Sequence, residues 1–223
     1  LTTGSYGEPR YTASTSSSAG AGSYDIKVLN LAQANKLTSP AFSSDALVGS
    51  GNLALTVGQT TLEVTVADDM TLSSLAREIN RVAAGKGVTA SVITSDAGQH
   101  LVLNATQTGL DGAIKLAGTG SGRLSELNWN GTAGDMNQNV PATDAKVEID
   151  GQLRSNSSNT FTDLIEGVTI SLTKATPDNT GNLSIAADAS GAKTSMQAFV
   201  SVYNATLGAL RSSSNYNADT KTA

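Results

Sequence analysis

Short runs in which apolar and polar residues alternate one for one are the feature that most limits what this chain can fold into. Tyr24, Ile26 and Val28 alternate with Asp25 and Lys27, and the same rhythm returns in Leu53, Leu55 and Val57, in Leu62, Val64 and Val66, and in Val88, Ala90 and Val92. It continues in Leu101 and Leu103, in Ala145, Val147 and Ile149, in Val168, Ile170 and Leu172, and in Leu183, Ile185 and Ala187. Side chains of a strand point to opposite faces in turn, so these runs predict strands with one face buried and the other in water. Turn-forming residues stand between them, among them Gly58-Gln59, Asp96-Ala97-Gly98, Asp150-Gly151 and Pro177-Asp178. Neighbouring runs are therefore expected to pair antiparallel through short connections.

Two segments break this rhythm. Leu72, Leu75, Ile79 and Val82 fall on one face at helical spacing, with Thr71 placed as N-cap, Asp68 and Asp69 before it, and Gly85 and Gly87 after it. The surrounding residues read as hairpin, helix, hairpin, a unit that could bury its own core. Residues 118–122 and 131–141 read as loops that return the chain to the first sheet. Near the C-terminus, Met196, Phe199, Val200, Tyr203, Leu207 and Leu210 form a second helical stripe, with the character of a bundle or coiled-coil seam.

These patterns predict an α+β fold, mainly β: two small antiparallel-sheet domains, one inserted in the other, followed by a C-terminal helix. Residues 1–23 are expected to be an extended lead-in, 24–48 plus 140–189 the first domain with its strands in one sheet, 49–139 the inserted domain, and 190–223 the helical segment.

Composition narrows the function. Only 15% of residues are charged and 39% are hydrophobic, so much of the surface must be Ser, Thr, Asn, Gln and Gly, as in many extracellular β-proteins. A net charge of −5 with scattered Lys and Arg argues against nucleic-acid binding. No run approaches the roughly 20 apolar residues of a membrane-spanning helix. The absence of Cys excludes disulfides and thiolate metal sites. The chain starts at Leu1 and reads as an excised fragment.

Reaction chemistry finds little to work with. His100 is the single His, which supplies neither a nucleophile–base pair nor a multi-His metal site, and it reads as a surface residue. Asp68-Asp69 suits the positive end of a helix without any metal. Residues 118–122, GTGSG, lack the Lys-Ser/Thr of a phosphate loop. No catalytic, cofactor-binding or metal residues are expected, and the chain is not expected to be an enzyme. Trp129 has two readings, an anchoring core residue, which is favoured, or a platform for carbohydrate.

Three stretches carry a resemblance. They are AGAGSYDIKVLNLAQANKL at 19–37, TLSSLAREIN followed by GVTASV between 71 and 92, and a third set formed by Ile149-Asp150-Gly151, Ser158-Asn159-Thr160 and IEGVTISL at 165–172. With them the chain resembles the flagellar filament cap family of bacteria, also called hook-associated protein 2. The resemblance implies two head domains, the start of a helical leg whose packing face holds Met196, Phe199, Tyr203, Leu207 and Leu210, and a departure from the family in the missing terminal helices that engage the filament. It further implies a secreted, extracellular protein that sits as a homo-oligomeric ring at the flagellum tip and promotes insertion of flagellin. Flagellin, hook–filament junction proteins and an export chaperone would be its partners. An alternative is an adhesive module that binds host glycans or mucin through Asn, Thr and Trp129.

Overall fold

A computed structural model describes residues 2–3, 10–186 and 190–213. The chain divides into two compact units, Leu1–Ser184 and Ile185–Ala223. Its fold is mostly antiparallel sheet with a C-terminal helix. In chain order the elements are β1 (Thr2–Thr3), β2 (Tyr11–Thr15), β3 (Gly22–Asn30), β4 (Ala34–Thr38), β5 (Gly51–Val57), β6 (Thr60–Val66), α1 (Leu72–Val82), β7 (Val88–Ser95) and β8 (Gly98–Thr108). Then follow β9 (Ile114–Gly120), β10 (Asn137–Val140), β11 (Ala145–Ile149), β12 (Gln152–Asn156), β13 (Thr160–Ile165), β14 (Val168–Leu172), β15 (Gly181–Ile185) and α2 (Ser190–Ser213). Among the described residues the strands form four sheets, ordered β1-β15-β3-β11-β12, β10-β4-β8-β7, β13-β14-β2 and β6-β5-β9.

The alternating runs do what their period requires. Ile26 and Val28 on β3 and Ala145 and Val147 on β11 are buried while their polar neighbours face out. β11 turns through Asp150-Gly151 into β12, with Ile149 opposite Gln152, and Asp150 takes the left-handed conformation at φ 46 that such tight turns demand. β5 and β6 close around Gly58-Gln59 with Val57 opposite Thr60. β7 and β8 close around Asp96-Ala97 with Ser95 opposite Gly98.

Thr71 starts α1: its backbone is extended and its Oγ1 accepts from the Ser74 N–H at 3.4 Å. Beyond Ala83 the chain turns out through Gly85 at φ 71, a conformation that favours glycine. Leu72, Leu75, Ala76 and Ile79 are buried in one cluster with Leu53, Leu55, Val64 and Val66 of β5 and β6 and Val88, Ala90, Leu101 and Leu103 of β7 and β8. Each fully buried Leu or Ile contributes about 1.5–3 kcal/mol relative to exposure. Buried Asn35 ties this cluster to its borders, donating to the Val140 carbonyl at 2.8 Å and accepting from the Ile114 N–H at 2.9 Å.

Two other asparagines stand in for missing strands. The Asn80 amide on α1 accepts from the Ala90 N–H at 2.8 Å and donates to the Ala90 carbonyl at 2.7 Å. Asn159 does the same for Ala32, at 2.7 and 2.9 Å. Each side chain satisfies both hydrogen-bonding groups of one residue, as a neighbouring strand would.

Four expectations are corrected. The supposed lead-in contains β2, which pairs with β14 from Leu172↔Tyr11 to Val168↔Thr15 and buries Tyr11 and Ala13. Only two apolar residues on one face are needed, and Ser and Thr suit the other. The downstream strands do not share one sheet: β3, β11 and β15 lie together, while β13 pairs with β14 and β14 with β2. Residues 34–48, expected with the first domain, supply β4, paired to β8, and send Leu37, Phe42 and Val48 into the cluster around α1.

Residues 118–120, expected as loop, finish β9, in register with β5 from Ile114↔Val57 to Gly120↔Gly51. Glycine there serves close approach, since a Cβ on Gly120 would strike the Ser50 carbonyl.

Candidate assembly surfaces

α2 is 24 residues long, about 36 Å at the rise of an α-helix. Met196, Phe199, Val200, Tyr203, Leu207 and Leu210 recur at three- and four-residue spacing, which places them along one side. Taken by itself the helix covers almost none of them: Met196 is 70% exposed, Phe199 71%, Tyr203 55% and Leu210 60%, with Leu207 half-buried. Phe199 and Tyr203 stack one turn apart, with ring centroids 6.3 Å apart and planes inclined by 22°. Val202, outside the expected stripe, is exposed as well, so the apolar surface is wider than the heptad reading implied. Residues 214–223, the end of the expected helical segment, lie outside the described residues.

Trp129 is not a surface platform. It is 7% exposed and belongs to the core cluster. Its backbone N–H donates to the Leu116 carbonyl at 2.9 Å and its carbonyl accepts from the Leu116 N–H at 2.8 Å, so residue 129 extends the β9 edge. A ring buried in this way cannot stack on a sugar, which removes the contact on which the adhesive reading relied.

Of the remaining residues of chemical interest, His100 is tied up structurally. His100 is half-buried on β8, with Nδ1 2.9 Å from the Ser39 carbonyl and Nε2 3.0 Å from Ser95 Oγ. It links the β4–β5 connection to the β7–β8 turn, a role that a surface residue would not have. Asp68 and Asp69 are exposed in the turn before α1. Among the described residues no three His, Asp or Glu side chains gather as metal ligands, and no helix is long and apolar enough to cross a membrane.

Arg123 lies 3.8 Å over the Phe42 ring and donates to the Ala41 carbonyl at 3.0 Å and to Glu126 at 2.6 Å. The hydrogen bond from Arg123 holds the Glu126 carboxyl below its ordinary range. This cluster clamps the loop before β5 against the turn after β9.

Outside α2, apolar exposure among the described residues is sparse: Ile93 on β7, Leu153 on β12, and Leu47 and Leu110 in connections between strands are each at least half exposed. Leu153 borders an open 440 Å³ groove between β12 and β13, bridged by the Arg154–Asp163 ion pair.

Two family models match the chain: Flagellar hook-associated protein 2 C-terminus over residues 142–223, and Flagellin hook IN motif over residues 52–107. The B-type flagellar hook-associated protein 2 of Pseudomonas aeruginosa is 32% identical over 209 residues, covering 86% of this chain and 44% of the relative. The chain thus spans about half the length of the curated relatives it matches. The crystal structure of FliD (HAP2) from Pseudomonas aeruginosa PAO1 is 29% identical with a TM-score of 0.75, over 93% of this chain and 97% of that one. The D2-D3 domains of the flagellar cap protein FliD from Serratia marcescens are 30% identical with a TM-score of 0.69, over 79% of this chain and 100% of that one.

Proposed function

This chain belongs to the flagellar hook-associated protein 2 family, and from that membership we propose that it is part of a filament cap, a structural assembly factor rather than an enzyme. The complete protein would sit outside the cell at the flagellum tip as a homo-oligomeric ring and promote addition of flagellin. It would reach that place with an export chaperone and past the hook–filament junction proteins. The observation that carries this reading is the likeness to the FliD crystal structure over 97% of that structure's length.

In this reading the β-rich residues make up two head domains, with the boundary of the inner one moved back to about β4. The apolar side of α2, with Met196, Phe199, Tyr203, Leu207 and Leu210, is the face by which the leg packs in the complete protein. Apolar side chains left in water along a whole helix favour burial on association.

Deletion of the complete gene tests the proposal. Cells are expected to export flagellin without building filaments, and the purified complete protein is expected to form closed rings. Normal filaments after deletion, or a complete protein that stays monomeric at high concentration, would overturn it.

A further inference from the structure

Unpaired edges are where a sheet accepts a new neighbour, and most edges of this fold are blunted. β1 and β2 have two and five residues, and β10 has four and a register shift. β12 carries Arg154, β6 carries Glu63, and β13 combines Asp163 with a register shift. β9 is covered by Trp129 along Leu116 and by the Asn128 side chain on the Gly118 N–H.

β7 differs from all of them. Its eight residues, VTASVITS, contain no charge and no Pro, and its register with β8 is unbroken from Val88↔Ala105 to Ser95↔Gly98. Among the described residues the edge is closed at one point, Ala90, where the Asn80 amide takes both backbone groups. Those bonds also fix the parity: the Ala90 groups point away from β8, so the backbone groups of Val92 and Thr94 do too.

We propose that a second copy of this chain pairs with the free half of β7. The two strands run antiparallel, Val92 of one copy exchanges both backbone hydrogen bonds with Thr94 of the other, and a two-fold axis passes between the two Ile93 residues. Two observations favour a second copy over another extended segment. Ile93 is 50% exposed, and the two-fold sets it against itself, which covers the exposed apolar side chain of this edge. Asn80 blocks extension past Ala90, which leaves too little open ladder for a long partner strand and enough for a short symmetric one. The contact is isologous and closes on itself, unlike the head-to-tail contacts of a ring, so it stands independently of the cap reading.

The chain has no Cys, which makes single-cysteine variants clean probes. At the axis the two Ile93 Cα atoms would be about 4.5 Å apart, within the span of a disulfide. Two Ser91 residues would be about 14 Å apart. Both positions are exposed, so neither variant threatens the fold. Under mild oxidation the Ile93→Cys chain is expected to cross-link at least about tenfold faster than Ser91→Cys, and Ile93→Lys is expected to abolish dimer in equilibrium sedimentation. Equal rates for the two cysteine variants, no cross-linking of Ile93→Cys, or a dimer that survives Ile93→Lys would overturn the proposal.

Discussion

Both helices present apolar side chains at helical spacing, yet α1 buries Leu72, Leu75, Ala76 and Ile79 within 11 residues, while α2 leaves Met196, Phe199, Val200, Val202, Tyr203 and Leu210 exposed along 24. The period of a sequence says which residues share a face. It does not say what covers that face. For α1 the cover is written into the same chain, in the alternating runs of β5 to β8. For α2, the described residues of the second unit pack one large apolar pair, Phe199 stacked on Tyr203. Helical stability in proteins comes mainly from packing of an apolar face, so α1 belongs to the folding of this chain and α2, on our reading, to its assembly.

Substitutions sharpen the contrast. Ile79→Asp has the largest expected effect, because it places a carboxylate without a partner at a fully buried position of the core cluster. A loss of more than about 3 kcal/mol is expected, read as collapse of the cooperative urea transition followed by tryptophan fluorescence from Trp129. Thr71→Ala removes the N-cap acceptor of α1 and is expected to cost about 1 kcal/mol in the same titration. Survival of α1 at full stability would mean that its start is set by packing alone.

Acid should act more weakly. Glu126 titrates below its ordinary range when folded because Arg123 donates to it. Its stabilising effect is therefore complete above the ordinary carboxylate range and is lost as pH falls through the folded value. The pair is more than a third exposed, so the expected loss stays below about 1 kcal/mol, and Glu126→Gln should flatten that limb of the stability–pH curve. Smallest of all is Phe199→Asp, expected to change the stability of the Leu1–Ser184 unit by less than about 0.5 kcal/mol while disrupting assembly of the complete protein. A large effect on the isolated chain would break the contrast between the helices.

Much of the fold was readable because alternation is a strong signal where one face is dry. The β5–β6 and β7–β8 hairpins, the β3–β11 pairing and α1 with its Thr71 cap all follow from that rule. The misses have physical reasons. β2 reads YTAST, whose Tyr11 and Ala13 look too few for a core face until β14 is placed beside them. β9 ends in glycines, which resemble a loop in sequence but permit the close approach of Ser50 in three dimensions. β4 offers Leu37 as its only large apolar residue, so its allegiance to β8 depends on partners far along the chain.

The candidate surfaces were legible in part. The α2 stripe follows from helical spacing, whereas the open half of β7 does not, because the closure at Ala90 depends on Asn80, a polar residue that no periodicity singles out. The Asn159 bonds to Ala32 escaped for the same reason.

Amide hydrogen exchange across α2, measured in this 223-residue chain and in the assembled complete protein, tests the central contrast most directly. The account predicts fast exchange from Met196 to Leu210 in the isolated chain, strong protection of the same amides in the assembly, and protection of α1 in both. Equal protection of α2 in the two samples would contradict it, since the helix would then owe nothing to a partner.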